Sequence, residues 1–371
     1  MSKRQIRVGI IGGGMIGKVH SLMLRRVADR TDASVRVVAI ADRQASVAET
    51  LASRWPDARA VTTAKEVIAD DNVDAIWICT PTAMHHDICI DAARAGKHVF
   101  CEKPVGMTVA EGLEMADVIR AAGVLCQVGL VLRFSPVYTV IRSMISQPSA
   151  GATMTVTVRD DQHFPTRGVH DSKWRNIPSL TAGGALIEHS VHDFDVLTWM
   201  FGPVSRIFCR TRNLKGAQGI EDFGVTQMEF AAGFHGQLTS VWHSMGGRPS
   251  NRRMEIFAEN LFIGCEHDAN GPIVVQRGDS ESEEVISETE VMDRFAQIIL
   301  AERPYLSPLK DSFAIPYALE DATFVAALRG ECPVDPAFEE GVKVQQLVEA
   351  AYESARTGQR ANVAGKIKVK D

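Results

Sequence analysis

The chain has 371 residues, of which 45% are hydrophobic and 23% charged, and its formal net charge is −6. This length predicts two domains with separate cores. The negative charge argues against nucleic acid or an anionic membrane as a partner, because both are bound through clustered positive charge. The seven cysteines are scattered without a C-x-x-C pair, which indicates reduced thiols rather than disulfides. No apolar run of about 18 residues and no signal-type segment occurs, so we expect a cytoplasmic protein.

The first third of the chain alternates short apolar runs with helical patterns. The runs are rich in valine and isoleucine, as is typical of strands buried on both faces; they are QIRVGIIG, VRVVAIAD, DAIWICTP, KHVFCEKP and VLCQVGLV. Helical patterns lie between them at 15–30, 83–96 and 108–123. This alternation predicts that residues 1–130 form an α/β domain with a doubly wound parallel sheet, the Rossmann arrangement.

Beyond residue 130, strand patterns follow one another with turn residues between them. They lie at 153–161, 225–232, 236–244, 253–266 and 272–278. Several alternate polar with apolar residues, which predicts a large, open, mostly antiparallel sheet with one covered face. Helical patterns occur at 184–202, 311–330 and 336–358. We therefore expect residues 131–371 to form a second, α+β domain.

A glycine-rich loop follows the first predicted strand. Gly12, Gly14 and Gly17 form a G-x-G-x-x-G pattern, and Met15 and Ile16 open the helix that follows. The glycines allow a tight turn and let backbone N–H groups approach a pyrophosphate at the positive end of that helix. A plain strand-to-helix turn is the alternative interpretation of the same glycines.

The second predicted strand ends at Asp42, followed by Arg43. A carboxylate at this point would accept hydrogen bonds from the ribose hydroxyls of the adenosine and repel a 2′-phosphate, which favours NAD. Arg43 could instead bind that phosphate, so NADP remains open. Asp42 could also serve only as a helix cap.

Polar residues end two more of the predicted parallel strands. Ligands of open α/β sheets bind beyond the carboxyl ends of the strands, so these residues are candidates for cofactor contacts, and Lys103 is also a candidate for contact with a reacting hydroxyl. They are Cys79, Thr80, Pro81 and His85 after one strand, and Glu102 and Lys103 after the other. The alternative for Glu102 and Lys103 is an ordinary surface turn.

The helical pattern at 184–202 holds Glu188, His189 and His192. On a continuous helix, Glu188 and His192 share a face. The three residues could bind a metal ion, but the pattern is not H-E-x-x-H and no further ligand completes a site, so we expect no metal. His192 could act as a general base, because an imidazole pKa of about 6.5 suits proton removal near neutral pH. The alternative is a core helix with buried histidines, which we favour for His189.

The polar and aromatic segment 159–180 precedes this helix. Its density of polar groups makes it a candidate substrate loop, with His163, Lys173, Trp174 and Arg175 as contact residues. An ordinary solvated loop is the alternative for each of them.

Taken in order, these motifs resemble those of the Gfo/Idh/MocA oxidoreductases over residues 5–360. The similarity is carried by the glycine loop, CTPTAMH at 79–85, AGKHVFCEKP at 95–104, RFSP at 133–136, the Trp174-Arg175 pair and GGALIEHSVHDFD at 183–195. The Glu-Lys-Pro block together with the downstream histidine is the specific part of this resemblance.

The resemblance implies an NAD(P)-dependent dehydrogenase or reductase. It implies hydride transfer between nicotinamide and a secondary hydroxyl or ketone of a sugar, a cyclitol or a sugar derivative. It makes Lys103 and His192 catalytic, places Glu188 where the family usually has Asp, and adds Arg133 of the RFSP motif as a substrate contact. The resemblance also implies that residues 131–371 bind the substrate and that their open sheet forms the interface of a homodimer or homotetramer. A glycosidase that uses NAD transiently and a non-catalytic, cofactor-binding regulator are the alternatives.

Overall fold

The computed structural model describes residues 4–32, 34–166, 172–215 and 217–363. Residues 167–171 of the predicted substrate loop therefore lie outside the described residues. Within the described ranges, no helix is both long enough and apolar enough to cross a membrane.

The strands are, in chain order, β1 (Ile6–Ile11), β2 (Val35–Ala41), β3 (Arg59–Val61), β4 (Ala75–Ile78), β5 (His98–Cys101), β6 (Cys126–Val128), β7 (Thr153–His163), β8 (Val204–Arg212), β9 (Phe223–Phe230), β10 (His235–His243), β11 (Asn251–Ala258), β12 (Leu261–Cys265), β13 (Ile273–Arg277), β14 (Glu284–Ile286) and β15 (Ala361–Asn362). The α-helices are α1 (Met15–Arg30), α2 (Ala45–Ala52), α3 (Ala64–Ile68), α4 (His85–Arg94), α5 (Val109–Ala122), α6 (Pro136–Ile145), α7 (Ala185–Glu188), α8 (Val191–Phe201), α9 (Glu288–Glu302), α10 (Pro316–Leu328) and α11 (Phe338–Thr357).

The first sheet is parallel throughout and has the strand order β3-β2-β1-β4-β5-β6. Its central strands are apolar on both faces, and all of β4 is buried. Valine and isoleucine favour such strands, because helices cover both faces of a doubly wound sheet. The predicted Rossmann arrangement is confirmed.

The chain divides into two compact units, one of residues 1–131 with 303–342 and the other of residues 132–302 with 343–371. Residues 303–342, which the sequence pattern places in the second domain, belong to the first unit. The reason lies in α10, which packs against α1. Residues 318–327 of α10 are all buried, and a helix that is buried all round needs neighbours on every side.

The second unit is built on a sheet with the order β14-β13-β12-β11-β7-β10-β9-β8-β15. Its pairings are antiparallel except that of β7 with β10, so the predicted mostly antiparallel sheet is confirmed. The single strand pattern at 253–266 is a hairpin, in which β11 and β12 are joined at Glu259 and Asn260.

The predicted helix at 184–202 is interrupted. It forms α7 and α8, and His189 and Ser190 lie between them. Tertiary contacts hold both residues of the break: the Trp242 indole N–H donates to His189 Nδ1, and the Ser190 hydroxyl donates to Asp160 at 2.7 Å. Glu188 and His192 therefore belong to different helices, and the expectation that they share one helix face is wrong.

Candidate active site

The glycine loop follows β1, and close packing requires glycine at Gly12 and Gly17. Gly12 has a φ of +100°, and a Cβ there would lie 2.5 Å from the carbonyl oxygen of Cys79. A Cβ on Gly17 would lie 2.0 Å from the carbonyl oxygen of Gly12, so α1 can approach the loop only through a glycine. A Cβ on Gly14 would meet no atom within 4 Å. The backbone at the N-terminus of α1, which Met15 and Ile16 begin, is thus open to an anionic ligand.

The Asp42 carboxylate links the end of β2 to this loop. Its Oδ2 accepts the backbone N–H of Gly13 and its Oδ1 that of Gln44, both at 2.9 Å. The residue that precedes α2 as its N-cap is Gln44, so Asp42 is not the cap of that helix. Asp42 is half-buried and Arg43 is exposed.

The ends of β4 and β5 are joined by His85. Its ring nitrogens lie 2.9 Å from the carbonyl oxygen of Thr80 and 2.8 Å from that of Pro104. The side chain is 1% exposed, so His85 fixes the two strand ends to each other. Thr80 and Pro81 are half-buried. Burial raises the pKa of the Cys79 thiol well above its ordinary value, which keeps the thiol neutral.

Gly12, Thr80 and Lys103 lie at one edge of the first sheet. They follow β1, β4 and β5, which are neighbouring parallel strands, so the glycine loop and Lys103 occupy the edge where open α/β sheets bind their ligands. Lys103 is half-buried and is joined to Pro104 by a cis peptide bond.

Both oxygens of the Glu102 carboxylate contact hydrogen-bonding partners within the first unit. Its Oε2 accepts the backbone N–H of Lys103 at 3.1 Å, and its Oε1 lies 3.0 Å from His20 Nε2. The other ring nitrogen of His20 lies 2.8 Å from Asp321 Oδ1, which also accepts the indole N–H of Trp77 at 2.9 Å. This network is absent from the expectations based on the sequence. The available signals were a histidine three residues beyond Gly17 and an acidic pair, Glu320-Asp321, inside the otherwise apolar α10.

In the second unit, Glu188 holds Arg175. The Nε–H of Arg175 donates to Glu188 Oε2 at 3.0 Å, and the Thr181 hydroxyl donates to Oε1 at 2.7 Å. Glu188 is 0% exposed, and the Arg175 guanidinium carbon lies 4.5 Å from the centre of the Trp174 ring. The structure therefore brings Trp174, Arg175 and Glu188 together, while Lys173 is exposed to solvent.

The start of α7 is capped by Glu221. Its carboxylate accepts the backbone N–H groups of Gly184 and Leu186, both at 2.9 Å, and the hydroxyl of Tyr352, also at 2.9 Å. A Cβ on Gly184 would lie 1.8 Å from the carbonyl oxygen of Glu221, and one on Gly183 would lie 2.4 Å from the Tyr352 hydroxyl. The Gly-Gly pair of the GGALIEH motif is needed for this close packing.

His189 and His192 have different surroundings. The ring of His189 meets the edge of Trp242, with ring centres 5.5 Å apart, and accepts its indole N–H; this fits the structural role that we favoured for it. His192 lies in the first turn of α8 and is 7% exposed. In the part of the chain that the structure describes, no group of three or more His, Cys, Asp or Glu side chains is arranged to bind a metal ion.

A buried ion cluster lies next to His192 in the chain. Arg252 donates to Asp193 at 3.0 Å and to Asp268 at 3.1 Å, and lies 3.5 Å from Asp160. Burial raises the pKa of Asp193 well above its ordinary value in spite of Arg252. Asp160 also accepts the Ser190 hydroxyl. The cluster thus fixes β7, β11 and the start of α8 to one another, and no local sequence pattern predicts it.

Two predicted substrate contacts have other partners. Arg133 donates to Asp195 through Nε at 2.9 Å and Nη2 at 2.6 Å, and both side chains are buried. His163 lies against His243 of β10, with ring centres 4.8 Å apart. Because side chains alternate along a strand, His163 is on the opposite face of the sheet from Asp160, which contacts the start of α8. The structure does not bring His163 together with Arg175 and Glu188.

A doubly wound parallel sheet with a G-x-G-x-x-G loop defines a dinucleotide-binding α/β protein. Residues 6–130 match the family model described as "Oxidoreductase family, NAD-binding Rossmann fold", and residues 138–262 match the model "GFO/IDH/MocA C-terminal domain". The chain belongs to the Gfo/Idh/MocA family of oxidoreductases, and NAD is its cofactor.

Relatives of known activity match over nearly the whole chain. Inositol 2-dehydrogenase of Rhizobium meliloti is 27% identical over 97% of this chain and 99% of its own length. Levoglucosan dehydrogenase of Pseudarthrobacter phenanthrenivorans is 25% identical over 95% of this chain and 96% of its own. The crystal structure of the WlbA dehydrogenase of Bordetella pertussis with NADH and UDP-GlcNAcA matches with a TM-score of 0.83 at 22% identity, covering 100% of both chains. This structural similarity concerns the fold.

Proposed function

We propose that this protein oxidises a secondary hydroxyl group of a cyclitol, a sugar or a sugar derivative to the ketone, with NAD as the hydride acceptor. The observation that carries the proposal is the position of Lys103, which follows β5 at the edge of the sheet that also holds the glycine loop. A cation therefore lies at the edge where an NAD-binding fold holds its cofactor. The names of the relatives, an inositol dehydrogenase and a levoglucosan dehydrogenase, support the substrate class.

The reaction needs a base for the hydroxyl proton and a group that stabilises charge on the oxygen. In this proposal, His192 takes the proton and Lys103 stabilises the oxygen as it becomes a carbonyl oxygen. The hydrogen on the carbon leaves with its electron pair, and NAD, when bound, supplies the acceptor for this hydride at C4 of the nicotinamide. The products are the ketone, NADH and a protonated His192.

Cofactor binding is assigned to residues of the first unit. The open backbone at Gly14 suits a pyrophosphate. We assign the ribose hydroxyls to Asp42, which follows β2 and would accept their hydrogen bonds with the lone pairs left after its bonds to Gly13 and Gln44. Thr80 and Pro81 lie at the same edge of the sheet. The contacts of His85 and Glu102 favour a supporting role for these two residues over direct contact with the cofactor.

The role proposed for Glu188 follows from its burial. A carboxylate that is 0% exposed and bonded to Arg175 and Thr181 orients other groups rather than binding a substrate hydroxyl itself. We therefore assign substrate contact to Trp174 and Arg175, with Glu188 as the group that holds the guanidinium in place. The extra methylene of Glu, relative to the family's usual Asp, gives the carboxylate the reach for this pairing.

A substrate screen tests the proposal. Purified protein is mixed with NAD or NADP and with cyclitols, anhydrosugars, aldoses, sugar acids or nucleotide sugars, and the reduced nicotinamide is measured by absorbance. We expect reduction of NAD with at least one polyol, and a lower Michaelis constant for NAD than for NADP. Absence of reduction with every class, together with release of a leaving group from a glycoside, would show a glycosidase and refute the proposal.

A further inference from the structure

His20 occupies the centre of a buried polar network in the first unit. It lies on α1, the helix that begins at the glycine loop, and is 0% exposed. Its Nε2 lies 3.0 Å from Glu102 and its Nδ1 lies 2.8 Å from Asp321. Asp321 is likewise 0% exposed, and Glu102 is 6% exposed. Both ring nitrogens of one buried histidine thus face carboxylate oxygens.

This geometry fits the doubly protonated ring. Ionised carboxylates only accept hydrogen bonds, and a neutral imidazole can donate from one nitrogen only. Burial alone would lower the pKa of His20, but the carboxylates of Asp321 and Glu102 outweigh it and raise this pKa well above its ordinary value. Burial would raise the pKa of Glu102, but His20 and Lys103 outweigh it and lower this pKa. Burial raises the pKa of Asp321, and Asp321 and Glu102 together hold the two ring nitrogens of His20.

The other groups described around the His20 ring carry no positive charge. Phe100 and Tyr317 meet the ring edge-on, with ring centres 4.9 and 5.8 Å from that of His20. Trp77 donates to Asp321, and Glu320 precedes Asp321 on α10. The thiol of Cys79 stays neutral because burial raises its pKa. His20 is therefore the cationic group that faces Glu102 from α1.

We propose that His20 is a positioning residue for the reaction: held between Asp321 and Glu102, it fixes the Glu102 carboxylate against the backbone of Lys103 and so ties this lysine to the helix of the glycine loop. The inference rests on the role of Lys103 in the proposed function. The second oxygen of Glu102 accepts the Lys103 N–H at 3.1 Å. Gly129, which follows β6, also packs closely against this carboxylate, since a Cβ on Gly129 would lie 2.9 Å from Glu102 Oε1.

A displaced Glu102 would shift the backbone that carries Lys103. Misplacing a reacting group by about 1 Å can lower a rate by about 100-fold. A merely structural ion network would instead lower stability while leaving the active fraction with normal turnover. The two roles therefore differ in turnover per folded molecule and in the position of the Lys103 side chain.

The first test is made on the unaltered protein. Histidine ring ¹⁵N chemical shifts are recorded between neutral and alkaline pH, with His20→Gln used to assign the signal. We expect two protonated nitrogens on His20 at neutral pH. A neutral ring at this pH would overturn the proposal, because a neutral imidazole cannot donate to both carboxylates.

The second test compares variants with a matched control. His20→Phe removes both donors but keeps a ring, His20→Gln keeps one donor, and His86→Gln removes a half-buried surface histidine from α4 as the control. With the polyol that reduces NAD fastest in the screen, we expect kcat to fall by up to about 100-fold in His20→Phe and less in His20→Gln. In the His20 variants, we expect the NADH affinity measured by fluorescence to stay within a few-fold of that of the unaltered protein. In His86→Gln, we expect both kcat and NADH affinity to stay within the same range. Unchanged kcat in folded His20→Phe would overturn the proposal.

A third measurement does not depend on turnover. The rate at which an amine-reactive reagent labels Lys103 is followed by mass spectrometry, with the surface residue Lys65 as the internal reference. We expect the labelling rate of Lys103, relative to that of Lys65, to change in His20→Phe and to stay constant in His86→Gln; an unchanged ratio in both contradicts the inference.

If Lys103→Ala retains full turnover, the proposed function itself fails. If Lys103→Ala is inactive while His20→Phe is fully active, only this inference fails.

Discussion

The pairing of Glu188 with Arg175 can be measured by a double-mutant cycle. Glu188 is 0% exposed, and the Arg175 side chain is 14% exposed, with Nε and Oε2 at 3.0 Å. A hydrogen bond to a charged group contributes about 1.5–3 kcal/mol. Glu188→Gln and Arg175→Met each remove the ion pair, so the free energies of unfolding of the two single variants and the double variant should show a coupling in this range. The values come from urea unfolding followed by circular dichroism.

The exposed ion pair Arg206–Glu229 provides the control for this cycle. Its side chains are 46% and 24% exposed, and water and salt screen such pairs, so the corresponding variants should show a much smaller coupling. In substrate kinetics, Glu188→Gln should raise the KM for the polyol and leave NADH binding unchanged, because Arg175 loses its orientation. A coupling between Glu188 and Arg175 no larger than that of the control pair would refute the assigned role of Glu188.

Three other predictions concern turnover, cofactor binding and assembly. Lys103→Ala and His192→Ala should each lower kcat by at least about 100-fold with NADH affinity little changed, and near-normal kcat in either would remove that residue from the mechanism. Gly17→Ala should abolish NADH binding measured by fluorescence, because the added Cβ would lie 2.0 Å from the Gly12 carbonyl oxygen; tight binding would contradict the assigned loop geometry. Phe257 is 46% exposed and packs on Phe262 of the neighbouring strand, and we expect this face of the sheet to join copies of the chain. Phe257→Glu should therefore lower the mass measured by light scattering. An oligomer of unchanged mass would exclude that face as the interface.

The pH dependence of stability has a definite sign for His20. Its pKa in the folded protein lies above the ordinary value of 6.5. Its protonation therefore stabilises the fold fully below pH 6.5, and this contribution is lost as the pH rises through the raised pKa. His20→Gln should lack this alkaline loss in urea unfolding measured across pH, and an identical loss in the variant would contradict the assignment.

Local signals predicted most of the parallel sheet, although not that residues 303–342 belong to the same unit. The pattern at 15–30 is α1 with the same bounds, and the apolar runs form five of the six parallel strands, because the periodicity of each segment specifies its secondary structure locally. The same reasoning failed at 184–202. The local pattern favoured one helix, but bonds from Trp242 and to Asp160, both distant in sequence, hold the residues of the break.

Periodicity and spacing specify the parallel sheet, the glycine loop, the mostly antiparallel second sheet and the family motifs, because these features are recorded locally in the chain. The partners of the buried charged groups depend instead on contacts between segments that are far apart in the chain. His20 pairs with Asp321 across 301 positions, and Arg133 pairs with Asp195 across 62. A buried charge must find a partner, but no local pattern states which one. That choice made Glu188 the partner of Arg175 and made His20 the link between Glu102 and Asp321.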